Sequence, residues 1–207
     1  MDSALHALAH SLFGEKLRRR QPRPPKADGD SATGPAKARA SSPVNPALNL
    51  TLRQQRRLWR HVETIENFWE SLREIEPGAV RRLASVAAAR RWEVIFLTKR
   101  PPSAGATAQV QTQRWLVTQG FERPCVYVVQ GSRGRIAAAL ELGVVVDDRH
   151  DNCCDVVVDS AAQAILVWRQ RERQLSSAAE RLGVRVVASV GECLDVLTRA
   201  DEAGNAP

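Results

Sequence analysis

The chain has 207 residues and a formal net charge of +7; 43 % of its residues are hydrophobic and 26 % charged. That apolar content suffices for one domain of ordinary size and excludes a wholly disordered chain. No stretch approaches the ~18 uncharged apolar residues of a membrane span, and four cysteines without a CxxC pair, two of them adjacent, point to a reducing, cytoplasmic compartment rather than a disulfide framework.

Residues 1–15 read as a short helix, with Asp2 or Ser3 as its cap and Leu5, Leu8 and Leu12 on one face. Its apolar start is short and follows no basic residue, so a secretory leader is not expected. Residues 16–50 are rich in Pro, Arg and Ser and poor in apolar side chains, which predicts a disordered insert. Arg18, Arg19, Arg20, Arg23, Lys26, Lys37 and Arg39 crowd this insert. No aromatic residue interleaves them, so a solvated linker is expected rather than a nucleic-acid tail. Over residues 51–76, Leu52, Leu58, Val62, Ile65 and Trp69 recur near helical spacing, and Pro77-Gly78 marks a turn.

A different rhythm runs through residues 77–201. Helices are predicted over 79–91, 107–120, 133–142, 152–160, 174–182 and 191–200. Between them lie apolar runs at 93–98, 125–129, 143–148, 164–168 and 184–187, which read as strands. Short strands alternating with helices define βαβ units and a parallel sheet. The strands are nearly continuous Val, Ile and Leu, as expected where helices cover both faces. Residues 202–207 form a tail.

In open α/β sheets, ligands bind beyond the carboxyl ends of the strands. Three polar groups stand at such ends: Thr98 with Lys99 and Arg100, then Gly131-Ser132-Arg133-Gly134-Arg135, then Asp147-Asp148. A hydroxyl, basic groups and paired acids together suit a phosphate and a Mg²⁺ ion, which prefers a few carboxylates plus phosphate and water oxygens. His150 and Asp151 follow the acidic pair and read as exposed loop residues.

The string Phe96-Leu97-Thr98-Lys99-Arg100-Pro101, with Trp115-Leu116 and Val145-Val146-Asp147-Asp148, resembles the haloacid dehalogenase-like (HAD) hydrolases, and among them the deoxyribonucleotidase-type 5′-nucleotidases. Phe68-Trp69-Glu70, Leu72 and Pro77-Gly78 add to the likeness, which covers roughly residues 58–170. The resemblance implies a three-layer parallel-sheet α/β fold, the HAD-like Rossmannoid core, with a helical cap over residues 1–15 and 51–76. It implies a Mg²⁺-dependent phosphohydrolase acting on a small phosphorylated substrate such as a nucleotide. Thr98 then binds the phosphoryl group, with Lys99 and Arg100 lining the pocket. The usual lysine of the third motif is replaced by Arg135, with Arg133 as its rival. Asp147 and Asp148 are the Mg²⁺ ligands, Asp147 foremost.

The family's opening strand ends in Asp-x-Asp-Gly, whose first Asp attacks phosphorus and whose second is the acid/base. No such strand precedes Thr98, and Asp28-Gly29-Asp30 lies in the polar insert with no apolar run before it. The expectation is therefore a framework that is N-terminally truncated, lacks its nucleophile and has a gap in its sheet. The alternative is a non-catalytic phosphate- or nucleotide-binding protein, or a basic protein that associates with nucleic acid.

Overall fold

Thr51 starts the first element of the computed structural model, which describes residues 50–169 and 181–204. The predicted helix at 1–15, the basic insert and nearly all of the predicted helix at 174–182 lie outside the described residues. The described residues divide into two compact units, 50–75 with 100–115, and 76–99 with 116–169 and 181–204.

In the first unit, helix α1 (Leu52–Thr64) opens with a capping box. The Thr51 hydroxyl accepts from the Gln54 amide at 3.3 Å, and Gln54 Oε1 accepts from the Thr51 amide at 3.0 Å. The helix buries Leu58 and Val62 and stops at Ile65, which is extended. The apolar spacing from Leu52 to Trp69 therefore does not belong to one helix. Asn67 takes a left-handed conformation, φ 48°, donates its amide to the Ala104 carbonyl and accepts the Ala106 amide on Oδ1. An Asx side chain that captures backbone groups in this way competes with helix. Gly105 lies against that side chain: a Cβ there would collide with Asn67 Oδ1, and its φ of 87° favours glycine. A 3₁₀ turn, Phe68–Ser71, follows.

Trp69 is the centre of this unit. It is almost fully buried, meets Phe68 edge-on at 5.0 Å and lies 6.3 Å from Trp59 between ring centroids. Its Nε1 donates to the Pro101 carbonyl at 3.0 Å, and its amide donates to Gln111 Oε1 at 2.9 Å. Gln111 belongs to helix α3 (Ala108–Thr118), whose last turn falls in the second unit.

The second unit begins with α2 (Ala79–Arg90) and continues with β1 (Ile95–Thr98) and β2 (Cys125–Val128). Then come α4 (Arg133–Ala139), β3 (Val144–Asp147), α5 (His150–Asp159), β4 (Gln163–Val167), β5 (Arg185–Val187) and α6 (Val190–Gly204). Strand and helix alternate as the sequence predicts, and the ladders are parallel, which makes this an α/β fold. The ladders form two sheets, β1-β2 and β3-β4-β5.

The larger sheet is packed on both faces. Ala164 and Leu166 of β4 join Cys153 and Val156 of α5, whereas Ile165 and Val167 join Cys193 and Val196 of α6. That alternation follows from the two-residue period of a strand. Glu76 fastens the start of α6: its carboxylate accepts the Val190 amide at 2.8 Å and the Gly191 amide at 3.3 Å, and pairs with Arg169. Among the described residues no helix is long and apolar enough to cross a membrane.

Candidate functional site

Thr98 ends β1 and Asp147 ends β3, so both stand where an α/β sheet presents ligand-binding groups. Between β1 and β3 lies a cavity of about 450 Å³. Ile95, Phe96 and Leu97 line one wall, and Val144, Val145 and Val146 the other. Arg133 and Asp147 lie at the carboxyl end.

Arg133 is the first residue of α4. Ser132 caps that helix, its hydroxyl oxygen accepting the Arg135 amide at 3.5 Å while the hydroxyl donates to Asp159 Oδ2 at 3.2 Å. This start directs the Arg133 side chain inward, where only 9 % of it meets solvent. Nη2 donates to the Leu97 carbonyl at 3.5 Å, and Nε lies 3.9 Å from Asp147 Oδ2. Nη1 is buried without a hydrogen-bond partner. A buried, unsatisfied guanidinium nitrogen is costly, and an anion would offset that cost.

The Asp147 carboxylate is held by its own turn. Oδ1 accepts the Arg149 amide at 2.9 Å, and Oδ2 accepts Asn152 Nδ2 at 2.9 Å. Burial pushes its pKa up; Arg149, Asn152 and Arg133 pull it down and Asp148 pushes it up, leaving it above the ordinary value. The negative charge is thus undercompensated even with Arg133 nearby.

The other sequence-derived residues are dispersed. Asp148, Lys99 and Arg135 are exposed, and Thr98 is half-buried, its carbonyl accepting the Val129 amide at 2.8 Å. Arg135 lies two residues from Arg133 on one helix, about 200° around its axis, so the two face opposite ways. Arg133 rather than Arg135 is brought to Asp147. Arg100 belongs to the first unit, where it donates to the Thr112 hydroxyl and lies 5.1 Å from the Trp69 ring centroid. Burial lowers its pKa to about 10. His150 and Asp151 open α5 and pair with each other at 2.7 Å.

Two contributors escape a reading of the sequence. Asn152 has no motif to mark it; its signal is its place in the first turn of a helix, five residues after Asp147. Gly134 resembles part of a phosphate loop but serves packing: a Cβ there would collide with the Asp155 carbonyl of α5. Among the described residues no group of three His, Cys, Asp or Glu side chains is suited to hold a metal ion.

Comparison of the chain with protein-family models, with curated proteins and with solved structures gave no match. Any functional reading rests on the geometry just described.

Proposed function

We propose that the second unit is an HAD-like phosphohydrolase framework that binds a small phosphorylated substrate, such as a nucleotide, at the carboxyl ends of β1 and β3. In this reading its layers form the three-layer Rossmannoid core, residues 51–76 belong to a cap, and the protein works in the cytoplasm. The observation that carries it is the Arg133 side chain, buried at the joint end of two strands with Nη1 unsatisfied and turned to a cavity. Phosphate oxygens suit a planar guanidinium donor. The Thr98 hydroxyl stands next to the Leu97 carbonyl that Arg133 already holds, and supplies a second donor.

Asp147 and Asp148 are hard oxygen ligands, and the uncompensated charge on Asp147 fits a Mg²⁺ ion. Two carboxylates suit an ion that completes its shell from phosphate and water, not one held by protein alone. Bound there, Mg²⁺ would neutralise charge on the phosphoryl oxygens. Arg133 and Thr98 bind and orient the phosphoryl group; Asn152 and the Arg149 amide fix the Asp147 carboxylate. No Asp-x-Asp closes an apolar strand before Thr98 in the sequence, so these residues bind phosphate without supplying a carboxylate nucleophile.

Calorimetric titration with inorganic phosphate, with and without Mg²⁺, tests this. Phosphate should bind, Mg²⁺ should tighten it, and Arg133→Met should weaken it at least tenfold, as loss of a charge-assisted hydrogen bond of ~1.5–3 kcal/mol requires. Phosphate release from p-nitrophenyl phosphate and nucleoside monophosphates should stay near background. Absent binding, or binding unchanged in Arg133→Met, overturns the reading.

A further inference from the structure

β1 and β3 each have one hydrogen-bonded neighbour, β2 and β4 respectively, and face the same cavity with their other edge. Arg133 reaches the Leu97 carbonyl and the Asp147 carboxylate, which places the carboxyl ends of both strands together. Glu93 and Gly143 border the cavity ahead of the two strands, so the strands run in the same sense on either side of it.

The burial pattern agrees with a vacant strand position. β4, paired on both sides, is buried from Ala164 to Val167. By contrast Val144 and Val146 of β3 are 39 % and 43 % exposed, and no residue of β1 is fully buried. Parallel strands are normally covered on both faces, and open edges present unpaired backbone groups.

We propose that this slot is a docking site for one extended segment supplied by another polypeptide, apolar along five residues, parallel to β1 and β3, with a carboxylate residue at its carboxyl end. Five residues follow from the walls, which run from Glu93 to Leu97 and from Gly143 to Asp147, roughly 16 Å at the rise of a parallel strand. The segment is apolar because both walls are Val, Ile, Leu and Phe. It ends in a carboxylate because Arg133 Nη1 is buried there without an acceptor.

The segment comes from outside these 207 residues: neither 1–49, 170–180 nor 205–207 contains four consecutive Val, Ile, Leu, Phe, Tyr or Trp. Such binding is strand addition, with main-chain hydrogen bonds giving affinity and the side-chain walls giving selectivity.

The test uses the full chain and a synthetic peptide, acetyl-Lys-Lys-Val-Ile-Val-Val-Asp-amide, in phosphate-free buffer. Amide hydrogen exchange is read at Ile95–Leu97 and Val144–Val146. Saturating peptide should slow exchange at least tenfold on both strands, and the unfolding midpoint should rise with peptide concentration. Replacing the terminal Asp by Lys should weaken binding at least tenfold, and Pro at the third apolar position should abolish it. Protection of only one strand, or an equal effect of the Pro peptide, overturns the proposal. So does protection that grows with protein concentration in the absence of peptide, which would assign the slot to a second copy. The phosphate reading is judged separately, by titration without peptide.

Discussion

Arg133 Nε stands 3.9 Å from Asp147 Oδ2, with both side chains nearly withdrawn from solvent, yet neither fully satisfies the other. The guanidinium donates to Leu97, and the carboxylate takes its close hydrogen bonds from Arg149 and Asn152. The pair is an electrostatic contact whose members remain open to a third party.

That relationship sets a pH dependence. Burial holds the Asp147 pKa above its ordinary value, so between the two values the folded state binds more protons than the unfolded state. The stability that Asp147 contributes is therefore present below the ordinary carboxylate range and lost as pH rises through the raised value. Arg133→Met removes the nearest cation and should destabilise the protein by ~3 kcal/mol at pH 7, the scale for a buried charge stripped of its partner. At pH 3, where Asp147 is protonated, the loss should shrink by more than half. Urea unfolding of both proteins at the two pH values reads the difference; equal losses would sever the link to Asp147.

Glu76 gives the opposite sign. Burial raises its pKa, but the Val190 amide, Arg169 and the Gly191 amide outweigh this and hold it below the ordinary value. Its contribution is full above the ordinary carboxylate range and lost as pH falls through the depressed value. Glu76→Gln should cost ~1.5–3 kcal/mol at neutral pH, the range for hydrogen bonds to a charged group. The cost should fade in acid. Stability curves against pH for the two proteins should converge below pH 3; a constant offset would refute the assignment.

The helix–strand rhythm of the second unit is readable in the sequence because each strand is an unbroken apolar run bounded by polar turns. The stretch from Leu52 to Trp69 misleads, because the apolar spacing continues while Asn67 redirects the backbone. Periodicity records which side chains are buried; it does not record where a hydrogen-bonding side chain breaks the helix. The site is readable as strand ends, at Thr98 and Asp147. The choice between Arg133 and Arg135 is not, because it depends on the rotation at which Ser132 starts a helix. Gly134 shows the same limit: glycine in a loop-like string fits a phosphate cradle and a close helix contact equally well.

Gly134→Ala discriminates between those two meanings. In a free helix Ala is better than Gly by ~1 kcal/mol. Against the Asp155 backbone the added methyl has no room, and overpacking costs ~1–3 kcal/mol. We expect net destabilisation of that size by urea unfolding. A stabilised variant would mean that α4 and α5 separate easily.

The four cysteines are free and differ in access. Burial pushes the Cys153 thiol up to about 12 and Cys193 to about 11, and both are enclosed. Thiolate is the reactive form, so neither should react in the folded protein. Ellman's reagent at pH 8 should titrate Cys125 and Cys154 first, and Cys153 and Cys193 only after denaturant is added. Four equally fast thiols would contradict the packing of α5 and α6 on β4.

The Glu76 carboxylate also has a bearing on how the chain finds its fold. It meets Arg169 across 93 positions of sequence, and the Val190 and Gly191 amides across 114 and 115. Closing loops of that length gains nothing until the intervening strands and helices exist. The contact belongs to the last stage of assembly, where it acts as a clasp: it slows the native chain's opening and leaves the speed of its formation to the local βαβ units.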